Sequence, residues 1–175
     1  MTNIALIGYR ATGKTTVAKE LANRLPGWNW VDADVEIERA AGKTIAQIFQ
    51  QSGESGFRDL ETTVTAELLS RPQTIIATGG GIVIRPENRE RLKQSAFVVW
   101  LQASAETIYN RMYSDETTAT RRPALTNNGP FEEIVKMLAM RKSWYEQTAS
   151  VSVDTDLLTP KQIADWIFEQ CAEQI

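Results

Sequence analysis

Apolar positions along this 175-residue chain switch repeatedly between two spacings, and the switching predicts the order of its elements. Ile4-Ala5-Leu6-Ile7 is an unbroken apolar run, the pattern of a strand covered on both faces. Val17, Leu21 and Leu25 then recur at helical spacing. Residues 28–31 read as a second strand running on into Asp32-Ala33-Asp34. Helical patterns follow over 35–41 and 45–51, and again through Phe57, Leu60, Val64, Leu68 and Leu69. Thr74-Ile75-Ile76-Ala77 is a short strand that ends at Thr78-Gly79-Gly80-Gly81.

The second half repeats the alternation. Residues 85–93 predict an exposed helix and 96–101 a strand, after which Ser104 is placed to cap the next helix. Residues 113–129 lose periodicity and collect Thr, Asn, Gly and Pro beside Arg121 and Arg122, the pattern of a lid. A helix over about 130–147, a strand near 151–153 and a helix after Pro160 complete the chain. Strands alternating with helices predict an α/β fold with a parallel sheet covered on both faces. The length, with no repeat and no low-complexity linker, predicts one domain over 1–175.

Gly8-Tyr9-Arg10-Ala11-Thr12-Gly13-Lys14-Thr15 matches G-x-x-x-x-G-K-[ST] in full, between a predicted strand and a predicted helix. That context gives the motif its meaning. The glycines let backbone N–H groups converge on an anion, and the helix N-terminus adds favourable dipole charge. Lys14 can reach the β- and γ-phosphates and the Thr15 hydroxyl can ligand Mg²⁺. Lys14 reads as a surface-loop charge that packs no core. The chain is expected to bind a nucleoside triphosphate.

Composition narrows the chemistry. With no histidine, there is no imidazole base and no His-ligated metal, and the single Cys171 excludes an intrachain disulfide. Acid–base work must fall to carboxylates, and electrostatic work to Arg, Lys, backbone N–H groups and Mg²⁺. A net charge of −3 argues against a nucleic-acid footprint. The basic run Arg85, Arg89, Arg91, Lys93 is interleaved with Glu87 and Glu90 and reads as a solvated helix face. No apolar run approaches a membrane span and no signal peptide precedes the first strand, so a cytoplasmic protein is expected. No heptad is visible, and a monomer is expected.

Ligands of such sheets bind beyond the carboxyl ends of the strands. Gly8, Asp32, Asp34 and Gly79 all follow strands and should share one site. If the extended conformation persists, Asp32 and Asp34 project to the same side, one to support Mg²⁺ through water and one to meet a substrate hydroxyl. The alternative for this pair is a helix cap. Arg58 and Glu61, three apart on one helix face, can pair, and a solvated helical ion pair is the usual explanation of such spacing. Three consecutive glycines at 79–81 allow close backbone approach to a ligand.

In order and spacing, these residues resemble the shikimate kinase family from Ile4 to about Trp166. The matching pieces are the loop at 8–15, Asp32-x-Asp34, Phe57-Arg58-x-x-Glu61 and Gly79-Gly80-Gly81, then Arg122-Pro123, Arg141 with Tyr145, and a Pro160 loop. The resemblance implies a three-layer α/β/α P-loop kinase, related to the nucleoside-monophosphate kinases, with a five-stranded parallel sheet in the order 2-3-1-4-5. It implies a substrate region at about 32–61 and a mobile lid at about 113–129. The implied reaction moves the γ-phosphate of ATP to the 3-hydroxyl of shikimate, in aromatic amino acid biosynthesis.

The same resemblance assigns roles by position. Asp34 contacts the hydroxyls and is the proposed base. Arg58 and Arg141 bind the substrate carboxylate, Glu61 orients Arg58, and Gly79, Gly80 and Gly81 line the pocket. Nucleotide contacts fall to Gly8, Arg10, Ala11, Thr12, Gly13, Lys14, Thr15 and Thr16, with Arg111 near adenine and Pro160 in a segment beside it. Arg122 comes over the phosphates, and Lys14 joins it and Asp34 in catalysis. Thr15 and Asp32 serve Mg²⁺.

Three departures mark this chain: Ala124 where Leu is commoner, Thr15-Thr16 for Ser-Thr, and Ala77 where related NTPases place an acid. Gluconate kinases are the nearest alternative on the same fold. The Phe-Arg-x-x-Glu and triple-glycine combination favours shikimate. A non-catalytic nucleotide switch is disfavoured by the absence of D-x-x-G and N-K-x-D. Retention of Lys14, Thr15, Asp32, Asp34 and Arg122 argues against a dead ATP-binding scaffold.

Overall fold

Five parallel strands form one sheet in the order β2-β3-β1-β4-β5 in the computed structural model, which describes residues 3–113 and 129–171. The strands are β1 (Asn3–Ile7), β2 (Asn29–Asp32), β3 (Thr74–Ala77), β4 (Phe97–Gln102) and β5 (Val151–Asp154). Between β1 and β2 runs α1 (Lys14–Arg24), and α2 (Ala33–Ala41) and α3 (Ile45–Ser70) lead to β3. A single 3₁₀ turn (Ile82–Ile84) and α4 (Pro86–Ser95) precede β4. The helices α5 (Ala105–Tyr113), α6 (Pro130–Thr148) and α7 (Pro160–Cys171) complete the described chain. The expected sheet order is the observed one. Apart from Tyr113 and Gly129, the segment assigned to a lid, with Arg122 and Ala124, lies outside the described residues.

β1 is central and wholly buried because its alternate side chains serve two cores. Ile4 and Leu6 join Val17 and Leu21 of α1 and Ile163 and Ile167 of α7 on one face. Ala5 and Ile7 join Ile37, Phe57, Leu68 and Tyr145 on the other. In register, Leu6 sits opposite Ala77 of β3 and Val99 of β4, which aligns the ends of the three central strands. Cys171 is fully buried in the first core, a packing role.

Side chains pin the strand ends that carry the site. Asn3 donates to Leu69 O at 2.8 Å and accepts from Thr74 N at 3.0 Å, fixing where β3 begins. Thr78 donates its hydroxyl to Leu6 O at 2.8 Å, fixing where the glycine turn departs. The helices expected at 45–51 and around 57–69 form one element, started by a Thr44–Gln47 capping box and kinked at Gly53, where φ is 66°. Residues 85–93 are less exposed than expected. Asn88 and Leu92 are buried, and Arg89 donates to Val83 O and Ile84 O at 2.7 and 3.0 Å.

Candidate active site

The loop between β1 and α1 wraps on itself. Gly8 has φ 142° and would press a Cβ onto Leu101 O, and Gly13 has φ 93°, so both positions demand glycine. Ala11 takes φ 62°, a left-handed conformation that non-glycine residues seldom adopt. Thr12 ties the loop internally through its hydroxyl to Tyr9 O at 2.8 Å.

Lys14 corrects its sequence reading as a surface charge. It is only 8% exposed, and its ammonium donates to Gly8 O at 2.8 Å and Tyr9 O at 2.7 Å. Thr16 is exposed in the first turn of α1.

Asp32 and Asp34 are not two carboxylates of one extended strand. The chain turns into α2 at Ala33, because Asp32 Oδ1 accepts from Asp34 N at 3.0 Å and caps the helix. Its other oxygen accepts from the Thr15 hydroxyl at 2.7 Å. One carboxylate therefore joins the phosphate loop to the segment carrying Asp34. Thr15 and Asp32 supply hard oxygen donors of the kind Mg²⁺ takes. Among the described residues no three His, Cys, Asp or Glu cluster around a point.

The glycine turn meets the acidic and basic groups of α2, α3 and α6. A Cβ on Gly79 would stand 2.9 Å from Asp34 Oδ1 and 3.1 Å from Glu61 Oε1, so Gly79 fits between two carboxylates. Gly81 lies against the Arg58 guanidinium, where a Cβ would fall 2.7 Å from Cζ. Arg58 donates to Glu61 Oε2 at 2.7 Å and more weakly to Glu54 at 3.4 Å. Its Cζ lies 5.0 Å from the ring centre of Phe57, which stacks on Phe49. Arg141 of α6 donates to Gly80 O at 3.0 Å. Burial pushes the Glu61 carboxyl above its ordinary value; Arg58 pulls it back and Asp34 adds to the push.

Arg58, Glu61, Gly79, Gly80, Gly81, Arg141 and Asp34 thus converge at the carboxyl edge of the sheet beside Gly8. Three buried polar atoms there, Arg58 Nε, Glu61 Oε1 and Arg141 Nε, bond to no described residue. Two guanidiniums and a carboxylate thus share one partly buried cluster whose hydrogen-bonding capacity is not fully used.

Arg111 donates to Thr155 O at 2.7 Å and to Ala11 O at 3.4 Å, so it links the phosphate loop to the segment after β5. Pro160 is exposed at the start of α7, further along that segment. Arg10 ties the loop to α6: its guanidinium pairs with Glu133 at 3.1 Å, where Glu133 is 1% exposed. The sequence reading missed this pair, Phe49, and the contact of Tyr145 with Gly80 O at 2.6 Å. A buried-face glutamate in the first turn of α6 and a tyrosine four residues after Arg141 were the available signals.

Comparison with known proteins places the chain in a family. A family model described as shikimate kinase matches residues 10–172. The chain is 41% identical to the shikimate kinase of Thermodesulfovibrio yellowstonii, over 97% of this chain and 95% of that one. It is 40% identical to the shikimate kinase of Symbiobacterium thermophilum, over 98% and 97%. The structure of shikimate kinase from Acinetobacter baumannii in complex with shikimate superposes with a TM-score of 0.90 at 37% identity, covering 99% of this chain and 94% of that one.

Proposed function

The chain belongs to the shikimate kinase family, and we propose that it transfers the γ-phosphoryl group of ATP to the 3-hydroxyl of shikimate, giving shikimate 3-phosphate and ADP. The observation that carries this reading is the junction of the phosphate loop with the cluster of Asp34, Arg58, Glu61, Arg141 and the glycine turn. Gluconate kinase, the alternative on this fold, is not favoured by the family match.

In this reading the guanidiniums of Arg58 and Arg141 take the substrate carboxylate, Arg58 being set by Glu61 at 2.7 Å. Asp34 accepts the proton of the attacking hydroxyl, whose oxygen bonds to the γ-phosphorus as the bond to the bridging oxygen breaks and ADP leaves. Lys14, held at the loop backbone, neutralises charge on the β- and γ-phosphates. Thr15, and Asp32 through water, would hold Mg²⁺, which supplies further charge neutralisation when bound. Positioning and electrostatics dominate such transfers, which suits a chain with no histidine.

We also read the enzyme as a cytoplasmic monomer whose partners are ATP and shikimate, with no nucleic acid or membrane. Among the described residues no helix is long and apolar enough to cross a membrane. The test is an assay of ADP release with shikimate, gluconate, quinate and nucleoside monophosphates as acceptors. Turnover with shikimate well above the others is expected. Preference for gluconate or a nucleotide overturns the assignment.

A further inference from the structure

The carbonyl of Gly80 accepts two hydrogen bonds from one helix. Tyr145 donates its hydroxyl at 2.6 Å, and Arg141 donates Nη1 at 3.0 Å. The two side chains stand four residues apart on α6 and so share a face. The other side of Gly80 abuts the phosphate loop, where a Cβ would meet Arg10 N at 3.2 Å and Gly8 O at 3.5 Å. The peptide that lines the substrate pocket is therefore wedged between α6 and the loop.

Tyr145 is a rigid donor. It is 1% exposed, and its ring stacks on Trp100 of β4 with centroids 5.5 Å apart and planes 18° from parallel. Its hydroxyl position is thereby referred to the sheet. Arg141 is held more loosely, by Gly80 O, by Met137 Sδ at 3.8 Å and by the Tyr9 ring with its centre 5.7 Å from Cζ. A carbonyl offers two lone pairs, and the shorter bond here belongs to the tyrosine.

We propose that Tyr145 is a positioning residue for substrate recognition: it fixes the Gly80 carbonyl on which the Arg141 guanidinium rests, and so aims that guanidinium at the substrate carboxylate. Without it, the carbonyl is free to turn toward Arg141 and draw the guanidinium out of line. The inference rests on the shikimate kinase reading. Burial pushes the Tyr145 hydroxyl up to about 12, so the group stays a donor across the working range of the enzyme.

The test is Tyr145→Phe, which keeps the ring and its stacking and removes one hydroxyl. The expected result is a shikimate KM raised about tenfold, the scale of one lost buried hydrogen bond, with kcat and the KM for ATP within about twofold. The same change is then made in an Arg141→Ala background, with kcat/KM read from the linear range of rate against shikimate concentration. If Tyr145 acts through Arg141, its penalty there shrinks to within about twofold. An unchanged shikimate KM in the single variant overturns the proposal, as does an equal penalty with and without Arg141. A rise in the KM for ATP or a fall in thermal midpoint large enough to account for the loss overturns it too, assigning the hydroxyl to the loop or the fold. Turnover of shikimate by the parent enzyme, measured alongside, tests the underlying reading separately.

Discussion

Thr15 donates its hydroxyl to Asp32 Oδ2 at 2.7 Å, while Asp32 Oδ1 caps the helix that carries Asp34. A phosphate-loop hydroxyl and the start of the helix that carries Asp34 are thus joined through a single carboxylate. Asp32→Asn keeps a capping oxygen and loses the charge, so it separates the two roles. The Mg²⁺ concentration for half-maximal activity should rise about tenfold or more, as for removal of an outer-shell ligand partner, with little change in thermal midpoint. Asp32→Ala should add about 1 kcal/mol of lost stability, the usual cost of a cap. An unaltered Mg²⁺ requirement in both variants would remove Asp32 from the metal side of the site.

Lys14 gives a second test, because its ammonium is buried against Gly8 O and Tyr9 O. Lys14→Ala should cut turnover by about 10²–10³-fold, the scale of losing one transition-state donor. A surface lysine would leave stability alone. This one should lower the thermal midpoint by about 2–4 °C for each kcal/mol of charged hydrogen bonding lost. Near-parent turnover would contradict the phosphate role, and an unmoved midpoint would contradict the structural one.

Local chemistry made much of this molecule readable in advance, and packing decided the rest. The alternation of strands and helices was legible from apolar runs such as Ile4–Ile7 and Thr74–Ala77 set between segments of helical spacing, whereas the sheet order followed from the family resemblance and is the one observed. The phosphate loop, Asp32-x-Asp34, Arg58-x-x-Glu61 and the three glycines were legible as short motifs. The conformation of Asp34 was not. Whether a strand persists past Asp32 depends on a capping bond that competes with extension, and the cap won. The burial of Lys14 depends on how the loop folds over it. Arg10 and Glu133 lie 123 residues apart in sequence, and only the docking of α6 on the loop brings them together.

The glycine turn offers a test of which half of the chemistry each residue serves. At Gly79 an added methyl meets Asp34 Oδ1 and Glu61 Oε1, and at Gly81 it meets the Arg58 guanidinium. Gly79→Ala should lower kcat by displacing the carboxylate assigned to the proton. Gly81→Ala should raise the shikimate KM by displacing the arginine assigned to the substrate carboxylate, with kcat less affected. Each change should leave nucleotide affinity, measured without shikimate, near that of the parent. If both variants instead lose ATP binding, the turn belongs to the loop and not to the acceptor pocket.

Glu61 predicts a pH dependence with opposite signs for stability and for function. Burial raises its carboxyl above the ordinary value, against the pull of Arg58 and with a smaller push from Asp34. The folded protein therefore keeps this proton where the unfolded chain has released it. The associated stability is full below the unfolded value and is lost as pH rises through the raised one. In the proposed reading substrate binding needs the other form, since ionised Glu61 holds Arg58 at 2.7 Å and supplies its counter-charge. The shikimate KM should therefore rise as pH falls, with its inflection above the range of an ordinary glutamate. Glu61→Gln keeps an acceptor for Arg58 and cannot titrate, so it should flatten that acid limb. It should also raise the neutral-pH KM by about tenfold through the loss of a charge-assisted bond. Shikimate KM and thermal midpoint, each followed against pH for parent and variant, check both signs. An acid limb that persists unchanged in Glu61→Gln would show that a different carboxylate governs recognition.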